Sequence, residues 1–227
     1  MISKTLFRQY DIRGIVNKEL TAQNTKIIAY YLGLTIKEKL KSTPYIVVGY
    51  DVRTHSNMLF DSLISGLNLA DCKILNIGLV ATGVNYFASF QEFLIDFKTV
   101  KPNASIMITG SHNAKNYNGF KITINNEPFF ADDLLNLYER IIKQKDIDIP
   151  NNHTFIKIDA KNLYIDYMLN QFSHLKDFNI PFAVDCGNGV ANTVLCDILD
   201  KLNLNYQGLH LVPDGEFPNH HPDPTNE

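Results

Sequence analysis

Tryptophan is absent from the 227 residues, and cysteine and arginine are both scarce. The three cysteines, Cys72, Cys186 and Cys196, are odd in number and show no C-x-x-C spacing. That argues against a disulfide scaffold and a zinc ribbon; the thiols read as small buried apolar groups in a reducing, cytoplasmic compartment. Long apolar runs are missing too. The longest, Ile27–Ile36, has ten residues and is interrupted by a glycine and Thr35. A bilayer span needs about 20, so no transmembrane helix and no membrane partner are expected. Met1–Arg8 has no apolar core followed by small residues, so no secretory signal is read there. The formal net charge of −3, without a concentrated basic stripe, argues against nucleic acid. Nor do the 14 Phe and 11 Tyr cluster into a base-stacking platform.

What is present is the material for a packed core: 45% hydrophobic and 20% charged residues. The length suits one large domain or two modest ones. Charge divides unevenly, with 17 basic and 14 acidic groups in residues 1–150 against 4 and 10 in residues 151–227. The cluster Lys37, Lys39, Lys41 reads as a solvated helix end. Two of the four arginines close Asp-x-Arg triplets, Asp11-Ile12-Arg13 and Asp51-Val52-Arg53. Forked donors suit phosphate, so both are candidates for it.

Short β-rich runs alternate with helical stretches, which predicts an α/β fold, a layered sheet flanked by helices. Thr21 caps a helix that runs to about Lys41 and stops before Pro44. Strands are expected at Tyr45–Gly49, Cys72–Ile77, Ala104–Ile108 and Gly119–Ile124. Helices are expected at Ser56–Leu69, Thr82–Phe93 and Asp132–Lys145. In the last strand Phe120, Ile122 and Ile124 share one side, and Lys121 and Thr123 the other. The polar segment Ile149–His153 marks a boundary between a first domain, 1–150, and a second, 155–227. The second reads as helix Lys161–Phe172, strand Phe182–Val184, helix Val190–Leu202 and strand Tyr206–Leu211. Residues 213–227 hold four prolines and no periodicity.

Thr109–Lys121 is the segment most suggestive of chemistry. It leaves a buried strand, makes an excursion rich in Asn and Gly, and re-enters a strand at Gly119. Gly110 is expected to let a substrate approach the backbone, and Ser111 to point outward. One reading is a polar loop with a capping serine and a solvated lysine. A serine hydrolase lacks support, since the G-x-S-x-G elbow is absent and His112 directly follows Ser111. Phosphoryl chemistry fits better: Lys121, Arg13, His112 and Asn113 supply the cations and donors that a serine-borne phosphate needs. Other patterns are weaker. Asp146-Ile147-Asp148 reads as a solvated helix exit, Asp185–Gly189 as a strand-to-helix turn, and His220, His221 and Asp223 as solvent-exposed or structural rather than metal-binding.

Thr109–Lys121 also resembles the active-site serine loop of the α-D-phosphohexomutase superfamily. Phe7–Gly14 is similar to the opening motif of its phosphomannomutase/phosphoglucomutase branch, and Gly49–Arg53 to its G-x-D-x-R strand end. Asp185–Gly189 and Pro218–Pro224 resemble landmarks of its second domain. The opening departs from the G-T-D-G-x-R-G of the phosphoglucosamine branch, so the expected sugar is glucose or mannose.

The resemblance implies reversible interconversion of hexose 1-phosphate and hexose 6-phosphate through a phosphoserine and a bisphosphate intermediate. Ser111 would carry the phosphate and, through it, coordinate Mg²⁺. Lys121, Arg13 and His112 would act beside it as catalytic groups, and Tyr10 and Asn113 would bind substrate phosphate. Hexose 1,6-bisphosphate would be the activator. Two departures follow. Ala114 and Lys115 replace the proline common after S-H-N, which should loosen the loop slightly. The D-x-D-x-D-R magnesium loop is absent, so the second domain is expected to be incomplete and domains III and IV lacking. The chain alone is then expected to be inactive, and to self-associate through the truncated domain. The alternatives are a sugar-phosphate-binding module without catalysis, or a fragment without independent activity.

Overall fold

The computed structural model describes residues 2–143, 147–176, 178–223 and 225. Its first elements are β1 (Ile12–Ile15), α1 (Ala22–Leu40), β2 (Tyr45–Tyr50), α2 (Ser56–Leu69), β3 (Lys73–Leu79), α3 (Thr82–Ser89), β4 (Phe93–Ile95) and β5 (Lys98–Val100). Then come β6 (Ala104–Ile108), β7 (Tyr117–Ile124), β8 (Glu127–Pro128), α4 (Asp132–Ile142) and β9 (Ile156–Lys157). The chain continues through α5 (Ala160–Gln171), β10 (Phe182–Asp185), α6 (Leu195–Lys201) and β11 (Tyr206–Leu209).

Strands buried on both faces belong at the centre of a helix-covered sheet, and β2 and β6 lie there. The sheet has seven strands in the order β1-β7-β6-β2-β3-β9, with β8 attached to β7. β2 runs parallel to β3 and β6, while β7 is antiparallel to β6 and β1. Alternation sorts the core into two layers. Ile46, Val48, Ile106, Ile108, Phe120 and Ile122 meet the apolar stripes of α1, α2 and α4. Val47, Leu75, Ile77 and Met107 face the other way, toward α3, α5 and α6.

Local signals explain several boundaries. Thr21 Oγ1 accepts the Asn24 N–H at 3.1 Å and opens α1, and Lys41 closes it in the left-handed region with φ 54°. Three expectations need correction. The helix expected over Thr82–Phe93 ends at Ser89, because Phe93 and Ile95 turn into a hairpin around Asp96 and Phe97, both with positive φ. The helix expected over Val190–Leu202 is broken at Val194, where φ is −140°, leaving a 3₁₀ turn and α6. The strand expected to reach Leu211 stops where His210 takes φ 49°. Lys145, Asp146 and Pro224, which fall within other expected features, lie outside the described residues.

The segment expected to separate two units is fastened to the first. Lys26 Nζ donates to the Ile149 carbonyl at 2.9 Å, Asn68 donates to Asn152 and Thr154, and β9 joins the sheet edge beside β3. Beyond it, β10 and β11 form a parallel pair whose residues alternate between half-buried and exposed. That open face also corrects the reading of the thiols. Only Cys72 is buried, its pKa pushed up to about 12 by desolvation; Cys186 and Cys196 are half-buried. Among the described residues, no helix is long and apolar enough to cross a membrane.

Phe120, fully buried where β7 faces α4, tests this layering. Phe120→Ala should lower the unfolding free energy by about 3–5 kcal/mol, read from urea denaturation curves.

Candidate functional site

The serine loop leaves β6 and returns as β7, and one guanidinium organises it. Arg53 follows β2, and its side chain is 0% exposed. Nη1 donates to the carbonyls of Ala114 (2.7 Å) and Tyr117 (3.0 Å); Nη2 donates to those of Ser111 (2.9 Å) and Asn113 (2.6 Å). Asp51 holds the guanidinium from behind, 3.3 Å from Nε, and also accepts the Gly110 N–H and the Ser56 hydroxyl. Burial lowers the Arg53 pKa and the Asp51 charge opposes that shift. Arg53 is thus turned into the loop, not toward the cleft as a phosphate donor. Gly110 is corrected likewise: a side chain there would run into the Arg53 guanidinium, so the missing Cβ admits arginine rather than substrate.

Ser111 is the exposed point of this frame. Its φ is 52°, its N–H donates to Thr109 Oγ1 at 2.9 Å, and its hydroxyl is 3.4 Å from His112 Nδ1. His112 and Tyr10 are both exposed, Tyr10 at 68%. Asn113 Oδ1 accepts from Arg13 Nη1 while its backbone carbonyl accepts from Arg53, so this residue ties the two arginines together.

Strand pairing brings in the remaining cations. Arg13 on β1 lies opposite Gly119 on β7, and Lys121 is two residues further along the same face. Arg13 is buried; besides Asn113 it reaches the Gly110 carbonyl at 2.9 Å and the Asp11 carboxylate. Lys121 touches that carboxylate only at 3.5 Å and keeps 29% of its side chain exposed. Of the two cations it is the freer to meet an incoming anion.

A cleft of about 460 Å³ opens at Ser111, lined also by Asp51, Thr109, Asp185, His220 and Asp223. The 213–223 segment forms its far wall. Lys115 pairs with Glu216 at 2.8 Å, and Phe217 packs its ring 5.4 Å from the Arg53 guanidinium carbon. Asn188 braces that segment, donating to the Val212 carbonyl at 2.9 Å and accepting from Asn219 at 2.7 Å. Asp185, expected to sit in a simple turn, gathers His210 and His220 around it. Among the described residues this is the one group of three or more imidazole, thiolate or carboxylate donors close enough to share a metal ion. That group reaches the Ser111 cleft through Asp185 and His220, but two imidazoles and one carboxylate are not the oxygen-rich donor set that Mg²⁺ takes.

Asp11, Asp51 and His55 also belong to the site, though the sequence marked Asp11 and Asp51 only through their triplets and His55 not at all. His55 Nε2 lies 3.1 Å from the Lys115 carbonyl, and its Nδ1 is 3.1 Å from Asn118 Nδ2. A carbonyl only accepts and an amide NH₂ only donates, so the ring is neutral with its proton on Nε2.

Fold and site together define an α/β/α module presenting an exposed serine on an arginine-locked loop. The descriptions "Phosphoglucomutase/phosphomannomutase, alpha/beta/alpha domain I" and "domain II" match residues 4–147 and 162–227. The chain therefore belongs to the phosphoglucomutase/phosphomannomutase family. It is 34% identical over 223 residues to a phosphomannomutase/phosphoglucomutase of Pseudomonas aeruginosa, covering 97% of this chain and 44% of the relative. A phosphoglucomutase of Neisseria gonorrhoeae is 31% identical over 226 residues, covering 99% and 46%. A crystal structure of a family protein from Burkholderia thailandensis superposes with a TM-score of 0.89 at 30% identity, over all of this chain and 48% of that one. The chain thus spans about half the length of the relatives it matches.

Removing the Arg53 clamp leaves four part-buried carbonyls without their donor and the buried Asp51 carboxylate without its counter-charge. Arg53→Met should lower the unfolding free energy by about 3–5 kcal/mol in urea, with amide exchange in residues 110–117 accelerated. His55 gives a pH signature. Burial, the largest cause, lowers its pKa from the ordinary 6.5, so the unfolded chain takes up the proton first. Stability should fall as pH drops below 6.5, by at most about 1.4 kcal/mol per unit, until the folded-state value is passed. His55→Gln should flatten that part of the stability-against-pH curve.

Proposed function

We propose that this chain is the N-terminal part of a phosphohexomutase that interconverts hexose 1-phosphate and hexose 6-phosphate, with mannose or glucose as the sugar. The observation that carries the reading is the exposed Ser111 hydroxyl, at a cleft, on a loop whose backbone is fixed by Arg53. A phosphoryl carrier needs that combination: an accessible oxygen and a backbone that does not relax as charge moves. In the proposed step a sugar hydroxyl oxygen attacks the phosphorus of phosphoserine. The new P–O bond forms as the bond to Ser111 Oγ breaks, and the hydroxyl proton is taken up within the site. The bisphosphate then returns its other phosphoryl group to Ser111 by the reverse exchange.

Lys121 is assigned to the phosphoryl oxygens, since among the described residues its one ion-pair contact is the 3.5 Å one to Asp11. Arg13 and Asn113 hold the loop beside it, and His112 and Tyr10 are proposed to meet the substrate from the exposed side. Mg²⁺ stays outside this scheme, because the donor set at Ser111 is incomplete. Residues 1–150 and 155–227 are proposed as the first domain and an incomplete second, in a cytoplasmic protein. Relatives about twice as long, and the exposed Leu209 and Val212 at the β10–β11 unit, support a chain that does not turn over alone and self-associates.

Incubation with hexose 1,6-bisphosphate followed by intact mass and peptide mapping tests the assignment. One phosphoryl group should appear on Ser111, none in Ser111→Ala, and uptake in Lys121→Met should slow by about 10²–10³-fold. Steady-state assay with mannose 1-phosphate, bisphosphate and Mg²⁺ should give no turnover. Binding of the sugar phosphate without phosphoserine would replace this reading with a non-catalytic capture module.

A further inference from the structure

Asp185, His210 and His220 come from three separate segments: the end of β10, the residue after β11, and the 213–223 wall of the cleft. Their ligand atoms all lie within 4.8 Å of one another. Each of two residues has one polar atom held by backbone and the other turned inward. Asp185 Oδ1 accepts the Gly187 N–H at 2.8 Å, and Oδ2 faces the two imidazoles. His220 Nδ1 is 3.0 Å from the His221 carbonyl, so it carries a proton, and Nε2 points at Asp185 Oδ2 from 3.2 Å. The ring lies over Gly187, which has φ +51° and where a Cβ would stand 2.8 Å from His220 Cε1. His210 Nε2 approaches the same carboxylate oxygen to 3.9 Å.

An imidazole nitrogen lone pair facing a carboxylate oxygen needs positive charge between them. A proton on Nε2 serves one such pair; a dication serves all three donors at once. We propose that Asp185, His210 and His220 bind one borderline transition-metal dication of the Zn²⁺ class, on the wall of the cleft that faces Ser111. Two imidazoles and one carboxylate favour Zn²⁺ or Co²⁺ over Mg²⁺, which prefers oxygen donors. Metal–ligand bonds of about 2.0–2.1 Å in a tetrahedron place donors roughly 3.3 Å apart, close to the 3.2 Å already present and a short closure from the 3.9 Å. The fixed Nδ1–H of His220 is the outer contact that orients a ligating imidazole. Three protein donors leave a fourth position for water or another exchangeable ligand.

Metal-stripped chain titrated with Co²⁺ should bind one equivalent and show the visible d–d bands of a four-coordinate ion; Zn²⁺ should displace it and excess Mg²⁺ should not. His210→Ala and His220→Ala should each weaken binding by more than about 100-fold, beyond the usual loss of an outer contact. His174→Ala should leave it unchanged. Because the cluster variants could unfold the 213–223 wall, the unsubstituted chain supplies a second readout. Zn²⁺ should shield His210 and His220, but not His153 or His174, from diethyl pyrocarbonate in peptide maps. Binding that survives His220→Ala, a thiolate charge-transfer band lost in Cys186→Ser, displacement by Mg²⁺, or absence of shielding would each overturn the site.

Discussion

The geometry of the candidate site depends on one buried guanidinium donating to the carbonyls of a loop that has no secondary structure of its own. An Asn- and Gly-rich excursion has little intrinsic reason to hold one shape, and Ser111 at φ 52° carries a conformational cost on the order of 1–3 kcal/mol. Arg53 offsets that cost by satisfying the carbonyls of Ser111, Asn113, Ala114 and Tyr117 from one planar fork. A lysine could not replace it, since a point charge on a flexible stem does not address four acceptors in a plane. Ala114 is held through its carbonyl rather than through a locked φ. The loop is rigid by hydrogen bonding rather than by covalent restriction.

The second constraint is the antiparallel pairing of β1 with β7. It adds an edge strand of four residues and places Arg13 on the Lys121 face, with Asp11 between the two cations. A carboxylate shared by a buried arginine and a half-exposed lysine does two things. It lets Arg13 be buried with a partner, and it keeps Lys121 only loosely engaged, at 3.5 Å. The division of labour between the cations follows from their unequal depth.

This asymmetry separates what the sequence announced from what it hid. Thr21, Ser56–Leu69 and Ala104–Ile108 were legible because a cap, a continuous apolar stripe and a run of buried residues are local signals. Serine, arginine and lysine could be named as one constellation because their types and order are distinctive. The direction in which each arginine points could not be read, since it is set by partners about 60 to 100 residues away, such as Ala114 for Arg53 and Gly110 for Arg13. The same holds for Gly110, whose small size serves an arginine from another strand end. β1 and β9 went unseen because four and two residues carry no periodicity, and sheet-edge pairing alone defines them. Asp185, His210 and His220 are spaced irregularly in sequence and converge only after β10 and β11 pair.

The cleft at Ser111 is built from both halves of the chain, and the two halves contribute differently. The first supplies the serine, the clamp and most of the cations, all fixed by a two-layered core. The second supplies a wall that rests on a parallel strand pair with one face open; it meets the first through the exposed Lys115–Glu216 pair, the Phe217 ring near Arg53 and buried Gly215 against the Val52–Thr54 backbone. The ion pair is exposed and screened by solvent, whereas the ring covers a guanidinium that is out of water. An ion bridging Asp185, His210 and His220 would stiffen that wall from within the second unit, without touching the loop that Arg53 already holds.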